Sequence, residues 1–85
     1  MFLDRQLSIA DKFRKSGDLD DAILVYNKIL LKFPLNKRAQ LGKLSCVKNE
    51  KALQKEIDWV IKLFENSLFS KAENEVNNLL LKYPN

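Results

Sequence analysis

The feature that most constrains the fold of this chain is an internal repeat, in which residues 17–34 align with residues 67–84 at an offset of 50 positions. Both copies end in a proline. A repeat at a fixed offset is typical of stacked helix pairs, because each pair needs a similar neighbour to cover its apolar face. Six aligned positions are identical, namely Ala22 and Ala72, Asn27 and Asn77, Leu30 and Leu80, Leu31 and Leu81, Lys32 and Lys82, and Pro34 and Pro84.

The composition favours helices over strands. With only two Gly and two Pro among 85 residues, the chain is too poor in turn residues for an all-β fold, and its 46% apolar content is enough for a core. We therefore predict an all-α chain of about five helices, with two antiparallel pairs joined by an extra helix. Helical periodicity places four conservative repeat pairs on the buried face: Leu19 and Phe69, Tyr26 and Val76, Ile29 and Leu79, and Phe33 and Tyr83.

Local signals mark where these helices begin and end. Gly17 is expected to end the first helix in a left-handed conformation, and Asp18 and Asn36 are expected to cap the second and third helices. Ser70 and Glu73 have the spacing of a capping box for the last helix. The five predicted helices span about residues 2–15, 19–33, 37–48, 51–67 and 69–81.

The third predicted helix has the weakest pattern, because Leu41, Leu44 and Val47 form a narrow stripe opposite a polar face. It also begins the basic stretch 37–55, whose six Lys or Arg residues against one Glu account for the positive net charge of the chain. Such a patch can attract an acidic partner. Because its charges are spread among core positions, a solvated lysine-rich face is the simpler interpretation.

The first copy resembles the tetratricopeptide repeat, a pair of antiparallel helices that pack closely at small residues. The resemblance implies that the alanines allow close approach, the aromatic side chains fill the wedge between the helices, and the proline ends the second helix. Gln6 departs from the family, which has tryptophan there. The positions that match the family pattern are Ile9, Ala10, Phe13, Ala22, Tyr26 and Pro34.

The second copy matches less well. Ala72, Val76 and Pro84 occupy the corresponding positions, but bulky Val60 stands where the family has glycine, and Trp59 precedes it. The offset of 50 exceeds the family period of roughly 34 by about 16 residues, which is enough for one helix. We predict one tetratricopeptide-like domain over 1–85, with a first repeat at 4–36, a connecting helix at 37–50 and a divergent second repeat at 51–85. A three-helix microtubule-interacting-and-trafficking bundle is the alternative fold, and five helices count against it.

No residue pattern predicts catalysis, a cofactor or a metal site. The chain has no histidine, and Cys46 is its one cysteine, which we interpret as a packed residue without a base partner. Asp18, Asp20 and Asp21 lack the glycine and glutamate of a calcium loop. Trp59 is assigned to the core or its edge rather than to a stacking platform. We therefore predict that the protein is not an enzyme.

The resemblance implies a module that binds a protein or peptide partner on a surface lined by the first helix of each pair. The family positions that clamp a terminal carboxylate are a lysine and an asparagine, and here they hold Leu7 and Asp11, which disfavours that ligand. The residues predicted to face the groove are Asp4, Leu7, Asp11, Arg14, Arg38, Leu41 and Ser45.

Two alternatives remain open at this point. One is a structural, self-associating or capping fragment of a longer repeat protein, which would cover Leu79–Leu81 and Trp59 through the C-terminal helix. The other is nucleic-acid binding through 37–55, which is disfavoured because aromatic residues are not interleaved with the lysines. With a single cysteine and no apolar run of roughly 20 residues, a cytoplasmic protein without a membrane span is expected.

Overall fold

A computed structural model describes residues 2–48 and 50–83, and these ranges contain five α-helices and no strand. The predicted all-α class with five helices is confirmed. The Cα radius of gyration of 11.7 Å is close to the roughly 12 Å expected of one compact domain of this length. In chain order the helices are α1 Phe2–Ser16, α2 Leu19–Lys32, α3 Lys37–Val47, α4 Lys51–Glu65 and α5 Phe69–Lys82.

The turn between α1 and α2 is a Schellman motif centred on Gly17, whose φ of 87° is in the left-handed region. The Gly17 N–H donates to the Arg14 carbonyl at 3.2 Å, and the Asp18 N–H donates to the Phe13 carbonyl at 2.9 Å. These bonds satisfy carbonyls that the end of α1 leaves open. The chain therefore enters α2 at once, which brings the two helices together as a hairpin.

The turn between α4 and α5 repeats this motif 50 residues later with a serine in place of the glycine. Ser67 has a φ of 62°, its N–H donates to the Phe64 carbonyl at 3.0 Å, and the Leu68 N–H donates to the Leu63 carbonyl at 2.9 Å. A left-handed conformation costs a non-glycine residue roughly 1–2 kcal/mol. The two turns thus make equivalent backbone hydrogen bonds 50 residues apart, which is the offset of the sequence repeat.

The second helix of each hairpin also ends in the same way. The Phe33 N–H donates to the Ile29 carbonyl and the Tyr83 N–H to the Leu79 carbonyl, both at 2.7 Å. Pro34 follows the first of these ends, where its missing N–H and its steric restriction of Phe33 prevent another helical turn. Pro84, the predicted stop of α5, lies outside the described residues.

The predicted cap of α3 is confirmed, whereas that of α2 is wrong. The Asn36 side chain accepts a hydrogen bond from the Ala39 N–H at 2.8 Å. Asp18 stands at the N-cap position of α2, but its side chain bonds to no described amide of the helix. The Schellman turn holds Asp18 at ψ 68°, whereas Asn36 has the extended ψ of 108° that turns a side chain toward the first amides.

The capping box predicted at Ser70 and Glu73 is also wrong. The helix begins two residues earlier than that pattern requires, with Leu68 at the N-cap position and Ser70 inside the first turn. The Schellman turn again explains this start, because it uses the Leu68 N–H to close α4.

Helix α3 lies between the two hairpins and packs against each of the other four helices. Its small residues Ala39 and Cys46 belong to one buried cluster, with Ala10, Ala22, Tyr26 and Ile29 of α1 and α2. Leu41 and Leu44 belong to a second cluster with residues of α4 and α5. The helix that was predicted only to connect the two pairs, with a narrow apolar stripe, is therefore the centre of the fold. The second cluster comprises Leu41, Leu44, Leu53, Ile57, Val60, Ile61, Leu63, Ala72, Val76 and Leu79.

The small residues that define the repeat are buried in both copies, with Ala22 and Ala72 fully inaccessible to solvent. Two of the conservative pairs depart from the prediction, because Phe33 and Phe69 are 41% and 56% exposed. Both phenylalanines lie at the ends of helices. Both side chains line one groove, which is described below.

Candidate functional site

A groove of about 750 Å³ lies where α2 passes into α3 and α4 passes into α5, and the first turns of α1 reach it as well. It therefore lies between the two hairpins, at the N-terminal end of α3. The apolar part of its lining consists of Leu7, Phe33, Pro34, Leu35, Phe64 and Phe69.

Much of this apolar lining is open to solvent. Leu35 is 80% exposed, and Phe69 and Phe33 are exposed by about half. Phe64 packs on the second core cluster, and its ring centroid lies 6.5 Å from that of Phe69, with the planes tilted by 50°. Aromatic rings at this separation attract each other modestly. The groove thus presents an aromatic surface and an exposed leucine.

Charges of opposite sign line different parts of the groove. The basic residues come from the end of α2 and the start of α3, whereas the acidic residues come from the other helices. The N-terminus of α3 adds the positive end of a helix dipole to the basic part. The basic residues are Lys32, Lys37 and Arg38, and the acidic residues are Asp4, Glu65 and Glu73.

A polar cluster beside the groove joins α1, α2 and α3 through Asp11. The Tyr26 hydroxyl donates to Asp11 Oδ1, and Arg38 Nη2 donates to Asp11 Oδ2. Hydrogen bonds that involve charged groups are about twice as strong as neutral ones. The Asp11 carboxylate therefore fixes the positions of Tyr26 and Arg38 relative to α1.

The cluster contains more positive than negative charge. Arg14 Nε lies 4.0 Å from Asp11 Oδ1, so one carboxylate faces two guanidinium groups. The side chains of Arg14 and Arg38 are only 8% and 14% exposed. Arg14 Nε and Arg38 Nη1 are buried and have no hydrogen-bond partner among the described residues. Buried donors without an acceptor are rare in native proteins and call for an explanation.

Neither the Tyr26 hydroxyl nor the Cys46 thiol has the lowered pKa that would make it a nucleophile. Burial raises the pKa of the Tyr26 phenol well above its usual range, and the hydrogen bond to Asp11 adds to the rise. Burial likewise raises the pKa of the Cys46 thiol, although the charge of Arg14 opposes the rise. Both groups are therefore protonated near neutral pH. A reactive thiolate needs the opposite shift.

Helix packing around Tyr26 depends on Gly42 of α3. A Cβ at position 42 would overlap two carbons of the Tyr26 ring. The glycine thus lets the backbone of α3 approach α2 closely enough for Arg38 to reach Asp11.

Five of the seven residues predicted to face a groove lie at this end of the molecule or beside it. Asp4, Leu7 and Arg38 line the groove, whereas Asp11 and Arg14 belong to the polar cluster. The face of α1 that was predicted from the repeat register is therefore divided between an open part and a part covered by α3.

The other two predicted groove residues are buried, and that expectation is wrong. Leu41 is fully buried in the cluster shared with α4 and α5. Ser45 is 1% exposed, and its hydroxyl donates to Gln54 Oε1 at 2.7 Å. Gln54 Nε2 donates in turn to the Ser45 carbonyl at 2.9 Å. The α4–α5 hairpin covers this face of α3, which leaves no room for a ligand there.

In the described part of the chain, the Cys, Asp and Glu residues form no group of three suited to a metal ion. None of its helices has both the length and the hydropathy that a membrane span requires.

Comparisons with family models, curated proteins and solved structures found no match to this chain.

Sequence reasoning missed Phe33, Leu35 and Phe69 as surface residues. Phe33 and Phe69 were assigned to the core because they fit the helical period. A signal was nevertheless present, since Phe33 and Leu35 flank Pro34 in a turn, where a core position is improbable. Bulky apolar residues on both sides of a turn proline indicate an exposed contact surface.

The face predicted to self-associate is partly covered. Leu79 is buried in the second cluster, whereas Leu81 is 82% exposed. Trp59 is half exposed, and Lys71 Nζ lies 5.7 Å from the centre of its ring. Residues Leu79–Leu81 therefore form no continuous apolar patch. Leu81 and Trp59 are separate exposed apolar groups.

Proposed function

We propose that this chain is a non-catalytic, tetratricopeptide-like interaction module that binds an apolar segment of a protein partner in the groove beside α3. The observation that supports this most is the exposure of Leu35 and Phe69 together with Phe33 at one concave site. Exposed apolar groups gathered in a groove and bordered by polar residues are typical of binding surfaces.

The dimensions and chemistry of the groove support a peptide or helix as the ligand. Its volume of about 750 Å³ is in the range of roughly 300–1,000 Å³ found for specific ligand sites. An amphipathic helix binds such a groove by placing residues three and four apart on the apolar lining. Phe33, Phe64 and Phe69 provide rigid aromatic contacts for such residues, and aromatic anchors dominate the energy of many interfaces.

The absence of histidine from the sequence and the raised pKa values of Tyr26 and Cys46 support a role without catalysis. Nucleic-acid binding is disfavoured, because no aromatic residue lies among the basic residues of 37–55. The cytoplasmic location stays a prediction from the cysteine content.

A second candidate function is self-association through the C-terminal helix, which is favoured by the 82% exposure of Leu81. Sedimentation of the wild type and of Leu81→Glu across a concentration series tests it. A monomer at every concentration for both proteins would exclude this candidate.

The binding proposal is tested with a displayed library of random peptides selected on the folded protein. Phe69→Glu and Leu35→Glu place a charge in the groove, whereas Leu24→Glu and Leu31→Glu place the same charge on exposed leucines outside it. We expect the groove variants to lose most of the affinity for the selected peptides and the control variants to retain it. Equal effects in both sets, or failure to select any peptide, would contradict the proposal.

A further inference from the structure

We infer that the groove selects partner segments that place an acidic side chain against Arg38 and apolar side chains against Phe33 and Phe69. This inference rests on the proposed function and goes further, since it specifies the charge and the orientation of the partner. It follows from the residues that connect the groove to the polar cluster.

Arg38 belongs to both sites, because it lines the groove and binds Asp11 of the cluster. Asp11 accepts from Arg38 Nη2, and Nη1 of the same guanidinium has no acceptor in the described structure. Arg14 takes up part of the remaining charge of Asp11, so the cluster retains an excess of one positive charge. A carboxylate that enters the groove at Arg38 balances that charge.

Arg38 is also held in position before any ligand arrives. Its Nη2 bond to Asp11 and its low exposure restrict the rotamers of a side chain that is otherwise flexible. A guanidinium with a fixed plane recognises a carboxylate with little loss of entropy on binding. Lys37 and the N-terminus of α3 add positive potential at the same point.

The acidic residues of the groove determine which way the ligand lies. Glu65 at the end of α4 and Glu73 on α5 line the part formed by the second hairpin. An acidic residue of the ligand placed against that wall would meet like charges, which costs affinity. The favoured ligand therefore has its acidic flank toward α3 and a neutral or basic flank toward α5.

The test begins with the wild-type protein and the peptides selected from the displayed library. The strongest binder is compared by titration calorimetry with a version in which its Asp or Glu is replaced by Asn or Gln. We expect the carboxamide peptide to bind the wild type about tenfold more weakly or worse, as is typical for loss of a charged partner.

Matched protein variants locate the effect. Arg38→Gln removes the proposed contact, and Lys28→Gln removes the same charge from an exposed site of α2 outside the groove. We expect the carboxylate and carboxamide peptides to differ by less than about twofold on Arg38→Gln and still by about tenfold on Lys28→Gln. Circular dichroism checks that Arg38→Gln folds, and if it does not, the comparison of the two peptides on the wild type still decides whether the carboxylate matters.

The outcomes separate this inference from the proposed function. Selected peptides that fail to bind Phe69→Glu but contain no acidic residue would support the groove as the binding site. They would overturn the role of Arg38. If the carboxylate and carboxamide peptides still differ tenfold in affinity for Arg38→Gln, the carboxylate binds elsewhere. This result would also overturn the inference. If no selected peptide is sensitive to Phe69→Glu, the proposed function itself fails.

Discussion

Gly42 of α3 lies against the ring of Tyr26 of α2, so closely that a Cβ at position 42 would come within 2.6 Å of the phenol oxygen. The same hydroxyl donates to Asp11, whose other oxygen accepts from Arg38. A glycine in a helix interior costs about 1 kcal/mol relative to alanine. Here the missing side chain of Gly42 allows the close contact between α2 and α3 on which the polar cluster depends.

Gly42→Ala is expected to destabilise the protein by roughly 1–3 kcal/mol, because the added methyl displaces the Tyr26 ring and outweighs the gain in helix propensity. Urea unfolding followed by circular dichroism measures the loss. The neighbouring change Lys43→Ala is the control and should stay within about 0.5 kcal/mol of the wild type. In a Tyr26→Leu background, Gly42→Ala should cost far less, and strict additivity of the two changes would contradict the proposed overlap.

The two hairpin turns should respond oppositely to substitution. Gly17→Ala forces a Cβ into the left-handed region and is expected to cost about 1–2 kcal/mol. Ser67→Gly relieves the same strain at the equivalent turn and is expected to stabilise the protein by roughly 0.5–1 kcal/mol. Thermal unfolding of both variants checks the signs. A loss of stability in Ser67→Gly would mean that its positive φ is not a source of strain.

Gln54→Ala is expected to destabilise the contact between α3 and α4 by roughly 1–3 kcal/mol. The change leaves the buried Ser45 hydroxyl and carbonyl without the partners that Gln54 supplies. Lys55→Ala is the matched control, since its side chain is exposed one position further along the helix. Denaturant midpoints of the two variants provide the comparison, and equal midpoints would show that solvent replaces the Gln54 bonds without loss.

Stability is expected to fall at alkaline pH because of Tyr26. Burial holds its pKa above the usual range, so below about pH 10 the phenol is protonated in both the folded and the unfolded chain, and its full contribution is present. Above that pH the unfolded chain loses the proton first. The free energy of unfolding then falls by up to about 1.4 kcal/mol per pH unit, until the folded phenol also ionises.

Tyr26→Phe should reduce this alkaline loss, whereas Tyr83→Phe, which removes the other tyrosine, should leave it in place. Cys46 adds a loss of the same sign, since burial also raises its pKa. Because that loss is common to both variants, the difference between their pH profiles reports Tyr26. Urea unfolding from pH 8 to pH 11 supplies the profiles, and parallel curves for the two variants would contradict the assignment.

The number and bounds of the helices were predictable, because Gly17, Pro34 and the repeated alanines mark the ends and the contact faces of the hairpins. The place of α3 was not. Its contact with α1 and α2 is made by Ala39, Gly42 and Cys46, which are too small to stand out as an apolar stripe. A helix that is buried on two opposite faces has no clear hydrophobic side, so periodicity understates its role.

The residues of the candidate site were predicted in part and their arrangement was not. Asp11, Arg14 and Arg38 were predicted to face a binding groove, whereas only Arg38 lines it, and Asp11 pairs with Arg14 and Arg38 beside it. The hydrogen bonds that Asp11 accepts from Tyr26 and Arg38 depend on how three helices cross, over separations of 15 and 27 residues in the chain. Helical spacing carries no information on such a crossing. The same limit explains why Leu41 was placed on an open surface.

The position of α3 between two similar hairpins determines how this protein unfolds and whether a hairpin can be duplicated. In an ordinary stacked array each unit contacts only its neighbours, so units can melt one at a time and copies can be added. Here a single helix completes both cores, and withdrawing it exposes apolar surface in both hairpins at once. The chain should therefore unfold in one cooperative step, and duplicating one hairpin would leave the new copy without a central helix to share.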